Sequence, residues 1–436
     1  MSTQHIDDLT YALIHFDDNG KERTNDPEGG LFSATILSAA ARDQPTNVFL
    51  FSHGWKGDVP SAIDQYNRWI GAMWKLKADK DKMGASFKPL FIGLHWPSQP
   101  WGDEDLASTA TSFGVAGDAA VPPDLDALRE DAIAHFGGGP AVREALTVIF
   151  DAQKTDPNPL DLPAEVVAAY GRLAKAVGFA AGGDPSVAPN EEGAPLDPQK
   201  AMEAERVRAS FGVLDSVKKG VLSGLRQVSF WLMKNRARSV GESGMHQFVA
   251  ALQQACPNAS VHLMGHSFGC IVVSSILGGP GGKARLPRPI NSVVLVQGAV
   301  SLWSYGDKIK DENKPGYFNG VLKNKAVAGP IVTTQSANDR AVGIAYPLAV
   351  GLVGQSDFAP GDFPLFGGVG TFGIQGTVLA DASTMLGVDR DYQFRSGRIT
   401  NLESSAFIPS HSGIDGPQVA HALWQAARAG SPEHTA

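Results

Sequence analysis

The chain has 436 residues, of which 43% are apolar and only 19% charged. That composition suits a large buried core and is unlike that of a disordered chain. Acidic residues outnumber basic ones for a net charge of −8, so no electrostatic footprint for nucleic acid is present. Cys256 and Cys270 form neither a metal spacing nor a disulfide framework. No run of 18 apolar residues suggests a membrane span. The N-terminus lacks a basic region followed by an apolar run, so no secretory signal is visible and a cytoplasmic location is the default expectation.

Short apolar runs rich in β-branched and aromatic residues alternate with helical patterns. Residues 9–16, 47–52, 89–95, 260–264, 292–297 and 330–334 read as strands. Most are nearly continuous in apolar character, as strands buried on both faces of a parallel sheet are. Helical patterns lie between several of them, at Ser61–Lys77, at Gly244–Ala255 and after Ser267. Alternation of β and α predicts an α/β sheet with right-handed crossovers. The gap from His95 to Val261 is too long for one crossover. An insertion is therefore expected at 100–225, between core segments 1–99 and 226–436. It opens as a loop, continues with helical patterns at 124–135, 140–153 and 163–178, and reaches a Pro-, Gly- and acid-rich loop at 182–199. Because it leaves the sheet after the 89–95 strand, it is expected to cap Ser267. Trp101, Phe113, Phe136 and Phe150 would then shape an apolar substrate pocket. The helix 221–240 bears an aromatic and Met stripe beside basic residues, which reads as a core helix before a lipid-contacting one. A second irregular stretch, 345–378, is rich in Gly, Pro and Phe.

The segment G-H-S-F-G at 265–269 follows a strand and opens a helix. A serine on such a turn is exposed at the helix N-terminus, where orphan N–H groups favour developing negative charge. Gly265 and Gly269 remove the Cβ atoms that would clash where strand and helix pass. Ser267 is thus the candidate nucleophile; read only structurally, it is a capping serine between packing glycines. An oxyanion hole would take one N–H from Phe268 and one from the loop after an early strand, where His53-Gly54-Trp55 stands. Gly54 lets the backbone approach the reacting carbonyl, and Trp55 is the second candidate donor.

Serine needs a base. His411 lies between a strand-like run and a final amphipathic helix, where the base belongs in this chain order. His266 adjoins the serine and is expected to pack or line the substrate pocket; His421, on the final helix, reads as a surface or packing residue. The acid should fall between Ser267 and His411. Asp339, just past the 330–334 strand, is the first candidate, and Asp357, Asp362 and Asp381 are its rivals. Cys270 reads as a small packing group. No H-E-x-x-H-type pair suggests a catalytic metal.

With Ser267, Asp339 and His411 in that order, the sequence resembles the α/β-hydrolase superfamily, and within it bacterial serine esterase- and lipase-like hydrolases. The resemblance rests on FLFSHGW, FIGLHWPS, FWLMKNRARSVG leading into GHSFG, SANDRAVG and HSGI, and covers roughly 1–98, 225–344 and 395–428. It implies an α/β-hydrolase fold with a mostly parallel eight-stranded sheet, hydrolysis of ester bonds in a small or lipid-like substrate, and no cofactor; the largely helical cap insertion expected at 100–225 matches no motif of the family. An amidase, thioesterase or acyltransferase would use the same residues. A non-catalytic binding protein would keep the fold without the activity.

Overall fold

The computed structural model describes residues 3–24, 30–54, 59–98, 124–178, 196–203, 220–310, 313–339, 342 and 363–432. The chain divides into two compact units. One comprises Met1–Ser98, Arg236–Ile344 and Leu365–Ala436; the other comprises Gln99–Asn235 and Ala345–Pro364.

The first unit is built on a nine-stranded, mostly parallel sheet flanked by helices. The strands are β1 (Thr3–Ile6), β2 (Leu9–His15), β3 (Asn47–Ser52), β4 (Pro89–His95), β5 (Ser260–His266), β6 (Ser292–Val296), β7 (Ile331–Gln335), β8 (Ala380–Thr384) and β9 (Ile399–Glu403). Their spatial order is β1-β2-β4-β3-β5-β6-β7-β9-β8, and only β1 runs antiparallel to its neighbour. The expected count of eight is thus corrected to nine. The six strands predicted individually are β2 to β7; β1 and β8 form the two edges. At β8 the edge carries Asp381, which Arg395 and Arg398 clasp in ion pairs. Charge of this kind on an edge strand discourages further pairing.

The central strands are buried on both faces. Every residue of β3, β5 and β6 is buried. Phe49, Phe51, Phe91, Met264, Val294 and Val296 point to one face, where they pack with the helices Val59–Lys75 and Pro417–Gly430. The alternating residues Val48, Leu50, Ile92, Leu263 and Leu295 are equally inaccessible. Helix Gly269–Gly278 packs on β3 and β5 and against His246–Ala255, which in turn packs against Phe32–Asp43. Two-sided burial is why these strands read as unbroken apolar runs. The exception, His262 on β5, is satisfied internally: Nδ1 lies 2.8 Å from Ser292 Oγ and Nε2 3.1 Å from Asn47 Nδ2.

The order of the sheet reverses between β3 and β5, which lie side by side although β4 intervenes in sequence. A crevice at the carboxyl ends of strands forms at such a switch point, and β5 delivers Ser267 there.

The second unit has its own core. Helices Leu125–His135, Pro140–Thr155 and Ala164–Ala176 bury Ile133, Leu146, Ile149, Val166 and Leu173 together with Leu222 and Leu225. Asp124 caps the first by accepting from the Asp126 N–H, and Pro140 starts the second at a position whose N–H needs no partner. Phe136 and Phe150 are buried inside this core; Trp101 and Phe113 lie outside the described residues. In the helix Ser223–Val240, Phe230, Trp231 and Met233 are buried as well. Among the described residues no helix is long and apolar enough to cross a membrane.

Candidate active site

Three strand ends supply the site. Ser267 follows β5, Asp339 follows β7, and His411 lies in the loop between β9 and the helix Pro417–Gly430. They meet in one hydrogen-bonded line. His411 Nε2 is 2.9 Å from Ser267 Oγ, and His411 Nδ1 is 2.8 Å from Asp339 Oδ2. Asp339 is a carboxylate acceptor, so Nδ1 carries the proton and Nε2 is left to accept from the serine hydroxyl. The gradient of exposure suits that arrangement: the Asp339 side chain is fully buried, while 19% of the His411 side chain reaches solvent.

The turn that presents Ser267 is strained and crowded. Ser267 has φ 55°, in the left-handed region that costs a non-glycine residue free energy and is kept where the surroundings enforce it. Its N–H donates to the Val296 carbonyl at 3.1 Å, and its carbonyl accepts from Cys270 and Ala299 N–H groups, both at 3.1 Å. The glycines on either side have no room for a side chain. A Cβ on Gly265 would lie 2.5 Å from the Gly269 carbonyl oxygen, and one on Gly269 would lie 2.2 Å from that of Ser52. Helix Gly269–Gly278 starts immediately beyond, with Phe268 as its N-cap residue.

The turn after β3 approaches the serine from the neighbouring strand. A Cβ on Gly54 would stand 2.5 Å from Ser267 Cβ and 3.0 Å from the His266 carbonyl oxygen, so only glycine permits this approach. His53 anchors the turn. Its N–H donates to the Tyr66 hydroxyl at 2.8 Å, its Nδ1 donates to the Gly54 carbonyl at 2.8 Å, and its Nε2 accepts from Trp96 N–H at 3.3 Å. Its ring stacks on Trp96 at 5.7 Å. Burial pushes the His53 imidazole down to about 4, against the opposing pull of the Gly54 carbonyl; it is a neutral structural group. Trp55 lies outside the described residues.

His266 is not left facing open space. Its Nδ1 is 2.9 Å from Gln65 Nε2, and its Nε2 is 2.9 Å from the carbonyl oxygen of His411. The amide nitrogen and the carbonyl fix the roles: Gln65 donates to Nδ1, and Nε2–H donates to His411. A residue on the serine turn thereby holds the backbone of the loop that carries the base.

Of the other sequence candidates, Asp381 is held by Arg395 and Arg398 on β8, away from His411. Asp357 and Asp362 lie outside the described residues. His421 is buried on the final helix and bound to Asp79. Cys256 and Cys270 are free and buried, and burial pushes the Cys270 thiol well up. Among the described residues no group of three or more His, Cys, Asp or Glu side chains could hold a metal ion.

Two contacts escaped sequence reasoning. Gln65, on the helix Val59–Lys75, orients His266. Gln297, just past β6, lies against Asp339. Glutamines carry no local pattern that announces a partner so far away in the chain, and only the polar residue ending the apolar run of β6 hinted at the second.

Comparison of the chain with family models, with curated proteins and with solved structures gave no match.

Proposed function

We propose that this protein is a serine hydrolase of the α/β-hydrolase type that cleaves carboxylic esters through an acyl-enzyme. One observation carries the proposal: His411 bridges the Ser267 hydroxyl and the buried Asp339 carboxylate with both ring nitrogens in hydrogen-bond reach. Supporting it are the strained strand-to-helix turn at Ser267 and the chain order Ser, Asp, His.

In this reading the substrate carbonyl carbon is attacked by Ser267 Oγ while His411 Nε2 takes its proton. Asp339 holds the tautomer and stabilises the imidazolium without itself being protonated. The oxyanion is held by the Phe268 N–H, at the start of helix Gly269–Gly278, and by the backbone after Gly54, with Trp55 the second donor. The imidazolium then protonates the leaving alcohol. Water, deprotonated in turn by His411, releases the acid and restores Ser267. Each step draws on protein side chains and backbone N–H groups, and no cofactor is proposed.

The test is hydrolysis of p-nitrophenyl esters of increasing chain length, with fluorophosphonate labelling of the same preparation. Ser267→Ala is expected to remove both and to leave the melting temperature within a few degrees. Full turnover by the pure variant would overturn the serine assignment. A wild-type protein that neither hydrolyses esters nor takes the label would overturn the reading as a whole.

A further inference from the structure

Gln297 is wholly buried and has φ 46°, a left-handed backbone on a residue with no glycine-like freedom. Its N–H is tied to Thr334 Oγ1 at 3.0 Å. Its side-chain amide reaches three groups at once: Asp339 Oδ2 at 2.7 Å, the Gly370 carbonyl at 3.0 Å and Thr334 Oγ1 at 3.0 Å. Two of these are acceptors only, whereas the hydroxyl can donate. The amide is satisfied in one orientation, with Nε2 donating to Asp339 and Gly370 and Oε1 accepting from Thr334. The opposite orientation would set two acceptor oxygens 2.7 Å apart.

Among the described residues Asp339 then meets three donors. Oδ2 takes His411 Nδ1–H and Gln297 Nε2–H, and Oδ1 takes the Val342 N–H at 2.9 Å. Gly370 is pressed against the Gln297 backbone and the Asp339 carboxylate. A Cβ on Gly370 would lie 2.7 Å from Gln297 C and 3.0 Å from Asp339 Oδ2. Gly370 is itself fixed, donating to the Gly298 carbonyl at 2.9 Å and accepting from Ser336 N–H at 2.8 Å.

We infer that Gln297 is the positioning residue of the acid: it holds Oδ2 toward His411 and takes part of the carboxylate's charge through a second hydrogen bond. The inference rests on the serine hydrolase reading for its kinetic consequence, not for the contact. Fixing the carboxylate matters because the imidazolium forms only transiently, and a carboxylate free to turn would have to reorient during each turnover. Strain at Gln297 φ is of the kind retained where a side chain must be aimed.

Gln297→Glu and Gln297→Leu separate this role from simple packing. Glutamic acid, when protonated, reproduces the donor to Asp339 and the acceptor for Thr334. When ionised it sets two carboxylates against each other, which share one proton and titrate as a pair. Gln297→Glu is therefore expected to approach wild-type kcat at low pH and to lose activity as pH rises through the pair's titration, opposite to a reaction that needs a neutral histidine. Gln297→Leu is expected to lower kcat by on the order of tenfold to a hundredfold, as small displacements of a catalytic group do, with KM within about twofold. A third readout needs no turnover: the low-field proton resonance of His411 Nδ1–H, assigned by its loss in His411→Gln, should shift in both variants. Should Gln297→Leu fail to fold, Gln297→Glu carries the test. A folded Gln297→Leu with wild-type kcat and resonance, or a Gln297→Glu with the wild-type pH profile, would overturn the inference. If the wild type neither turns over ester nor labels, the hydrolase reading fails, and the resonance still reports whether Gln297 holds Asp339.

Discussion

Two histidines near the C-terminus make the same contact on one side of the ring and opposite contacts on the other. His411 Nδ1 is 2.8 Å from Asp339 Oδ2, and His421 Nδ1 is 2.7 Å from Asp79 Oδ2. At Nε2, however, His411 meets a serine hydroxyl at 2.9 Å, whereas His421 meets the Arg390 carbonyl at 2.8 Å. A hydroxyl can donate, so His411 can remain neutral with a lone pair ready. A carbonyl only accepts, so His421 is fully satisfied when both nitrogens carry protons. Burial pulls the His421 imidazole down, but the bond to Asp79, the Arg390 carbonyl and the nearby Asp79 and Asp391 charges outweigh it and raise it. A His–Asp pair is therefore not in itself a catalytic signature; the atom beyond Nε2 decides between a base and a structural cation.

The comparison breaks most sharply at Nε2 of His411. His411→Ala is expected to cost about 10⁴- to 10⁶-fold in kcat, the range seen when a triad base is removed, with little change in melting temperature because its ring is part-exposed. Asp339→Asn should cost up to about 10⁴-fold, since the wrong tautomer is then held. Ester hydrolysis followed beside circular dichroism reads both. A His411→Ala protein within tenfold of wild type would remove the distinction drawn here.

The mirror-image variant is His421→Leu. It strands Asp79, 5% exposed, with Gln425 Nε2 at 3.1 Å its remaining side-chain donor among the described residues. Breaking a buried pair in this way costs about 3–5 kcal/mol, which should appear as a lower urea midpoint, while kcat at a temperature where the variant is folded stays at the wild-type value. Loss of kcat without loss of stability would mean that His421 serves the site after all.

Gly54→Ala tests the crowding around Ser267 more gently. The new Cβ would need Ser267 Cβ, 2.5 Å away, to give way, and neither atom is the far end of a flexible chain. Displacing the nucleophile by a fraction of an ångström should lower kcat by about 10²-fold while the sheet remains intact. A fully active Gly54→Ala would show that the turn after β3 is not pressed against the serine.

These contrasts also mark what the sequence could disclose. Strands β2 to β7 were legible because their β-branched, aromatic and aliphatic residues are largely buried, and every residue of β3, β5 and β6 is. β1 (TQHI), β8 (ADAST) and β9 (ITNLE) were not: β1 and β8, as edge strands, owe their conformation to pairing with a neighbour, and β9, though interior, mixes Thr, Asn and Glu with only two apolar residues. Ser267, Asp339 and His411 could be named because each follows a strand in a motif or order with a mechanical reason. Chain position separated His411 from His421, but not the partners of His421: the Arg390 carbonyl and Asp79 reach it only through tertiary packing. For the same reason Gln65 and Gln297 were missed; a neutral amide gains its meaning solely from what it faces.

The smallest effect concerns two further histidines, which are buried neutral and so oppose His421 in sign. Burial pushes His53 down to about 4 and His262 down to about 3. In the unfolded chain each would titrate near 6.5. Between that value and its folded value the unfolded state binds the extra proton, so stability is lost as pH falls, and the loss from His53 saturates below about 4. At pH 5 each histidine should have removed about 2 kcal/mol relative to pH 7.5. His421, raised rather than depressed, contributes stability that is fully present below its unfolded value and is lost as pH rises through its folded one. The two limbs can be separated. In His53→Asn the drop in unfolding free energy between pH 7.5 and pH 5, from urea titrations, should shrink by about 2 kcal/mol, while the alkaline limb is unchanged. In His421→Leu the acid limb should persist and the His421 contribution to the alkaline limb should vanish. An acid limb of the same depth in His53→Asn would mean that His53 takes up its proton in the folded protein as readily as in the unfolded chain, and with it that the turn bearing Gly54 is held differently from the hydrogen bonds described above.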